Sequence, residues 1–297
     1  MSDSRVDAVS APAPAVPPAA SGAAAGPVLA AASGAAAPAG AGPVLAARGL
    51  TVRIDGATLL DGVDFTASTG RVHALIGPNG AGKSTLLGVL AGDTGAVAAG
   101  TVAMLGRPVG AWSLKELARQ RAVLTQEHQV SFPFPVREVV AMGRHPWART
   151  PAADDDDAEV ERAMADADVA HLGERTVPSL SGGERARVAL ARVVAQQAEV
   201  LLLDEPTAAL DLKHQEDVMR LARAHAAAGR TVVVVLHELN VAAAYADDIT
   251  LLRRGRVVAT GSPAEVLTAE RIEEVYGQAV DVTPHPRTGA PLVLPVR

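Results

Sequence analysis

Gly77, Pro78, Asn79, Gly80, Ala81, Gly82, Lys83, Ser84 and Thr85 fill the pattern G-x-x-x-x-G-K-[ST] without a mismatch. Glycines in such a loop let the backbone turn its N–H groups inward as an anion nest, and a helix N-terminus behind them adds partial positive charge. Lys83 is then placed to reach the β- and γ-phosphates of a nucleotide, and the Ser84 hydroxyl to ligate Mg²⁺. The chemistry indicated is nucleotide binding.

Two further groups extend it. Asp204 and Glu205 close an apolar run, residues 200–203 (VLLL). A carboxylate at a strand end can hold Mg²⁺ through water, which is the expectation for Asp204. Glu205, on the opposite side of the chain, can polarise an attacking water. Ser181, Gly182, Gly183 and Glu184 open a predicted helix and form a second anion-binding N-terminus. One chain does not need two phosphate cradles for one nucleotide, unless the second serves a neighbouring subunit. The run Asp154 to Asp157 reads as a solvated helix start whose acids meet the helix dipole, and not as a metal cage.

The elements that must position these groups follow from periodicity. Residues 71–76 (RVHALI), 121–125, 200–203 and 231–236 (TVVVVL) are short apolar runs of buried-strand length, separated by helical patterns. That alternation predicts a mostly parallel sheet in an α/β core, with ligands at the carboxyl ends of its strands. Ahead of the loop, Leu50, Val52 and Ile54 alternate, as do Val63, Phe65 and Ala67, around an Asp55-Gly56 turn. This predicts an antiparallel β subdomain. Residues 127–180 read as a helical subdomain, with Ser113 and Glu116 as a capping box just before it. Residues 248–260 read as a hairpin turning at Arg254-Gly255, and 262–276 as two short helices.

The 297 residues carry a net charge of −6 and no cysteine. The charge argues against nucleic acid as a partner, and the missing cysteines exclude disulfides and thiol chemistry. Residues 1–42 are an Ala/Pro/Gly-rich segment expected to be a disordered tail, in which residues 26–31 (GPVLAA) recur at 42–47. Residues 43–270 are expected to form the catalytic domain and 271–297 a C-terminal extension. No transmembrane helix is expected in the folded part, so any membrane role must come through a partner.

The phosphate loop, Gln126, residues 180–184 (LSGGE), the strand ending in Asp204-Glu205, Asp211 and His237 occur in the order and spacing of ABC transporter ATPase subunits, which the chain resembles over about residues 46–270. The resemblance implies a phosphate-loop NTPase core that binds ATP and Mg²⁺. It also implies a head-to-tail dimer of two copies, each ATP lying between residues 77–85 of one and 181–184 of the other. Glu205 would be the general base and Lys83 would act on the phosphates. Gln126 would touch Mg²⁺ and the water, His237 would hold the water and Glu205, and Asp211 would signal across the dimer. Partners implied are two transmembrane permease subunits at the cytoplasmic face of the membrane and, indirectly, a substrate-binding protein. Residues 130–146, with Met142, Gly143, Arg144, His145 and Pro146, and residues 285–295 are similar to the subgroup serving haem, iron-chelate and cobalamin importers, most closely to its haemin-importing members. A soluble ABC ATPase of translation or repair is the other class, but such proteins usually carry tandem cassettes or long coiled coils.

The chain departs from the family at Ile54, where an aromatic usually stacks on adenine. Stacking on an aromatic is worth about 0.5 to 1.5 kcal/mol beyond area burial. Ile54→Tyr should therefore tighten ATP binding by about three- to tenfold, measured by nucleotide titration with hydrolysis blocked. An unchanged affinity would mean that another side chain already covers the base.

Overall fold

A computed structural model describes residues 43–125, 133–208 and 210–297; the expected tail, Gln126 and Ala209 lie outside the described residues. Leu45–Ile54 (β1) and Ala57–Ala67 (β2) pair antiparallel across the Asp55-Gly56 turn. Val72–Ile76 (β3) leads into the loop and Lys83–Ala91 (α1) leaves it. Val97–Met104 (β4) and Arg107–Pro108 (β5) follow, then Leu114–Gln120 (α2), opened by the Ser113/Glu116 capping box, and Arg121–Leu124 (β6). Val136–Ala141 (α3), Asp156–Asp166 (α4) and Gly182–Ala195 (α5) supply the helical region. Val200–Asp204 (β7), Leu212–Ala227 (α6), Thr231–Val235 (β8) and Leu239–Tyr245 (α7) resume the alternation. The chain ends with the hairpin Asp248–Arg253 (β9) and Arg256–Gly261 (β10), the helices Pro263–Val266 (α8) and Ala269–Tyr276 (α9), and a second hairpin, Val280–Pro284 (β11) with Pro291–Pro295 (β12). The boundary expected after residue 270 falls inside α9.

One sheet has the order β2-β1-β4-β5 and is antiparallel; the other has the order β10-β9-β3-β8-β7-β6. In the second, β9, β3, β8, β7 and β6 run parallel, and β10 closes one edge antiparallel. Apart from His73, Asp204 and Thr231, the central strands are apolar because both faces are covered. Val72, Ala74, Leu201, Leu203, Val232 and Val234 enter the core shared with the helical region. Their alternates Leu75, Val200, Leu202, Val233 and Val235 enter the core under the antiparallel sheet. Register aligns Leu75 and Asp204 each with Val235, so Gly77, Glu205 and His237 leave from adjacent strand ends.

The turn after α3 is bolted to α5 by residues that the sequence marked only as subgroup features. A Cβ on Gly143 would lie 2.1 Å from the Arg192 carbonyl, so glycine lets this turn rest directly on α5. The buried Arg144 donates to the Ala195 carbonyl at 2.9 Å, to the Ala152 carbonyl at 3.0 Å and to Asp156 at 2.7 Å. Asp156 is therefore a structural counter-ion, a correction to the reading of residues 154–157 as acids that only face solvent and the helix dipole. Among the described residues no cluster of acids or histidines with metal-holding geometry occurs.

His73 on β3 is 2% exposed, hydrogen-bonded through Nε2 to Thr250 Oγ at 2.8 Å, and its ring lies tilted against Phe65 with centroids 4.7 Å apart. Burial pushes its pKa down to about 4; Asp248 opposes that shift and Arg71 adds to it. The folded state thus refuses a proton that the unfolded chain accepts below about pH 6.5, so stability is full above that value and falls as pH drops towards 4. Between pH 7 and 5, His73 should cost about 2 kcal/mol. Urea denaturation of wild type and His73→Gln at the two pH values checks this: the variant should lose about 2 kcal/mol less than the wild type.

Candidate active site

The phosphate loop is shaped by what presses on it. Gly77 has φ 146°, and a Cβ there would sit 2.2 Å from the Leu252 carbonyl of β9. Gly82 has φ 100°, and its Cβ would meet Leu60 Cδ2 at 2.7 Å and the Leu59 carbonyl at 2.9 Å. Only glycine fits either backbone. The β9–β10 turn, expected only as a turn, also props the loop: the Gly255 N–H donates to the Ala81 carbonyl and the Gly255 carbonyl accepts from the Asp61 N–H, both at 2.9 Å. Nothing local in Arg254-Gly255 signals this.

Gly82 is also the N-cap of α1, and no side chain caps that helix. By contrast Ser113, Ser181, Asp211 and Thr268 each accept a backbone N–H at the starts of α2, α5, α6 and α9. The open N–H groups of α1 keep their capacity for an anion. Lys83, 5% exposed, donates from Nζ to the carbonyls of Gly77 at 2.8 Å and Pro78 at 3.1 Å. Burial lowers its pKa, and the charges of Glu205 and Asp204 oppose that.

Asn79, Gly80, Ala81, Gly82, Lys83, Ser84 and Thr85 line a cavity of about 390 Å³ together with Glu205 and His237. Behind it, the Ser84 hydroxyl donates to Asp204 Oδ1 at 3.2 Å. Burial raises the Asp204 pKa, the Ser84 bond lowers it, Glu205 raises it, and Lys83 and His237 lower it. A hydroxyl and a desolvated carboxylate side by side match the one or two protein ligands that Mg²⁺ takes beside phosphate oxygens and water. Glu205 has φ 51°, rare for a non-glycine residue, and its Oε1 lies 2.5 Å from His237 Nε2. Asp204 thus meets Ser84, and Glu205 meets His237.

Ser181, Gly182, Gly183, Glu184 and Asp211 do not line this cavity. Ser181 and Glu184 close a capping box: Ser181 Oγ accepts the Glu184 N–H at 3.2 Å, and the Glu184 carboxylate accepts the Ser181 N–H at 2.6 Å. Glu184 was expected to join the phosphate contacts; within its own chain it is a cap, and its carboxylate would repel a phosphate. The N–H groups of Gly182 and Gly183, with the Ser181 hydroxyl hydrogen, remain as donors. Asp211 caps α6 by accepting from the His214 N–H at 2.9 Å, which lowers its pKa. Gln126 lies outside the described residues. Ile54, the expected neighbour of the base, is 46% exposed.

Residues 60–208 match the ABC transporter family. The hemin import ATP-binding protein HmuV of Streptomyces coelicolor is 60% identical over 251 residues, 84% of this chain and 89% of that protein. Among solved structures, an inward-facing ABC transporter of metal-chelate type superposes with a TM-score of 0.73 at 25% identity, over 86% of this chain and 98% of that one. A dimeric ATP-binding cassette in a post-hydrolysis state with ADP and Pi gives 0.66 at 25% identity, over 74% of this chain and 98% of its own. The chain belongs to the ABC transporter family, as one of its ATP-binding, ATP-hydrolysing subunits.

Proposed function

We propose that this ATPase drives haemin uptake across the cytoplasmic membrane, as the peripheral subunit pair of an importer with two permease subunits. The observation that carries the enzymatic half is the Glu205–His237 contact at 2.5 Å, at the mouth of a cavity floored by an uncapped helix N-terminus. The cargo half is supported by kinship with proteins named hemin import ATP-binding proteins. The likeness to a metal-chelate-type transporter supports a second cargo class, siderophore-bound iron or cobalamin. Among the described residues no helix is long and apolar enough to cross a membrane, so the membrane-spanning path is assigned to the permeases.

In this reading the phosphates of ATP take the Lys83 amine from the Gly77 and Pro78 carbonyls and settle on the N–H groups of residues 79–85. Ser84 and Asp204 would hold Mg²⁺, which neutralises charge on the β- and γ-phosphates. Glu205 accepts the proton of a water attacking the γ-phosphate in line, and His237 fixes the Glu205 carboxylate and that water. Positioning and electrostatics supply most of the rate. Ser181, Gly182 and Gly183 of a second copy would close over the γ-phosphate. Asp211 is assigned to the same interface, and Gln126 to Mg²⁺, the water and the permease. A substrate-binding protein meets the complex only through the permeases.

The test is reconstitution of the chain with its copurifying permease in proteoliposomes. Haemin should raise ATP turnover and accumulate inside, and Glu205→Gln should keep ATP binding while turnover falls by about 10²-fold or more. Turnover within about threefold of wild type would remove Glu205 from the general-base role, and stimulation by cobalamin or ferric siderophore instead would reassign the cargo.

The shared site gives a separate expectation. Mixing Lys83→Ala with Ser181→Arg chains should yield heterodimers with one intact and one doubly damaged interface. Turnover should then recover above either variant alone, read as a function of mixing ratio. No recovery, with ATP-dependent dimerisation indifferent to Ser181→Arg, would mean that one chain suffices.

A further inference from the structure

Two groups outside the cavity reach the parts that work inside it. Asn240 lies on the first turn of α7, just after His237, and its carboxamide binds both backbone groups of Val293 in β12. Its Nδ2 donates to the Val293 carbonyl at 3.2 Å and its Oδ1 accepts the Val293 N–H at 2.8 Å. A side chain thus takes the place of a neighbouring strand. β12 is held on its other edge by β11, through pairs from Val280 with Pro295 to Pro284 with Pro291. The C-terminal hairpin therefore clamps the start of the helix that follows His237.

Tyr276 ends α9, and its hydroxyl is buried without a completed hydrogen bond. Burial pushes the hydroxyl's pKa up to about 12, while the neighbouring Gly77 backbone N–H lowers it slightly, so it stays protonated at neutral pH. Glu274 of the same helix pairs with Arg253 at 3.5 Å, beside Leu252, whose carbonyl bounds Gly77. Buried polar groups are nearly always satisfied in a settled structure. An unmet hydroxyl beside the phosphate loop favours the loop setting that brings the Gly77 N–H onto it.

We infer that residues 269–296 form a positioning brace for the nucleotide site: Asn240 fixes the backbone carrying His237, and Tyr276 receives the Gly77 N–H when phosphates release Lys83 and settle the loop. Neither side chain lines the cavity, so both act through other residues. The inference rests on that cavity being the ATP site.

Full-length Tyr276→Phe and Asn240→Leu separate the two halves. In a Glu205→Gln background, Tyr276→Phe should raise the ATP Kd about three- to tenfold, the span for one hydrogen bond. With Glu205 intact, its kcat should stay within about twofold of wild type. Asn240→Leu should lower kcat about tenfold through a displaced His237 while leaving the Kd unchanged. A merely structural role would shift the thermal midpoint of the nucleotide-free chain and leave both constants in place. If Asn240→Leu fails to fold, Asn240→Asp keeps the acceptor for the Val293 N–H and should show the same kcat loss at smaller amplitude. Kd and kcat within about twofold of wild type in the Tyr276 and Asn240 variants, with an active wild type, overturn the brace alone. A wild-type chain that neither binds nor hydrolyses ATP overturns the site and the brace together.

Discussion

Everything in the site depends on backbone pressing on backbone at the phosphate loop. The Leu252 carbonyl occupies the space of a Gly77 side chain, and Leu59 and Leu60 occupy that of Gly82. The loop is therefore held by β9 from one sheet and β2 from the other, with the Gly255 N–H pinning the Ala81 carbonyl between them. Such close approach limits where the N–H groups can point before any ligand arrives, which lowers the entropy lost on binding. It also explains why the antiparallel sheet belongs to the catalytic unit, since β2 forms one wall of the loop's seat.

Charge at the cavity is arranged with similar economy. α1 begins with an uncapped N-terminus and no acidic residue in its first turn, whereas α2 and α5 close theirs with a Ser/Glu capping box. The helix that must meet phosphate is left unsatisfied, and the others are satisfied internally. Lys83 meanwhile rests on loop carbonyls, and Asp204 shares the Ser84 hydroxyl, so each group has a provisional partner that a nucleotide and its cation can replace. The left-handed backbone of Glu205 is a local strain that turns its carboxylate to His237.

The N-terminus of α5 is anchored from the helix's far end. α5 carries Ser181 at one end, and at the other its Ala195 carbonyl is bound by Arg144, which Asp156 neutralises. Trp147 adds a hydrogen bond to the Gln196 carbonyl at 2.7 Å. A displacement of the helical region would thus carry the Ser181 end with it, which suits a terminus whose proposed ligand belongs to another copy.

The residues proposed to meet ATP are legible in the chain because each is set by local chemistry: glycines where backbone must approach phosphate, an amine and a hydroxyl at a helix start, acids at a strand end. The two-sided sheet is legible too, since strands covered on both faces read as apolar runs such as residues 232–235. Periodicity likewise gave the β1–β2 pair and the β9–β10 hairpin. It could not show that Gly255 props the loop or that Asp156 serves a buried arginine. Nor could it place Asn240 on Val293, 53 positions away. Those are long-range pairings, decided by which backbones the packed sheets bring within a hydrogen bond of each other, and sequence spacing carries no measure of that distance.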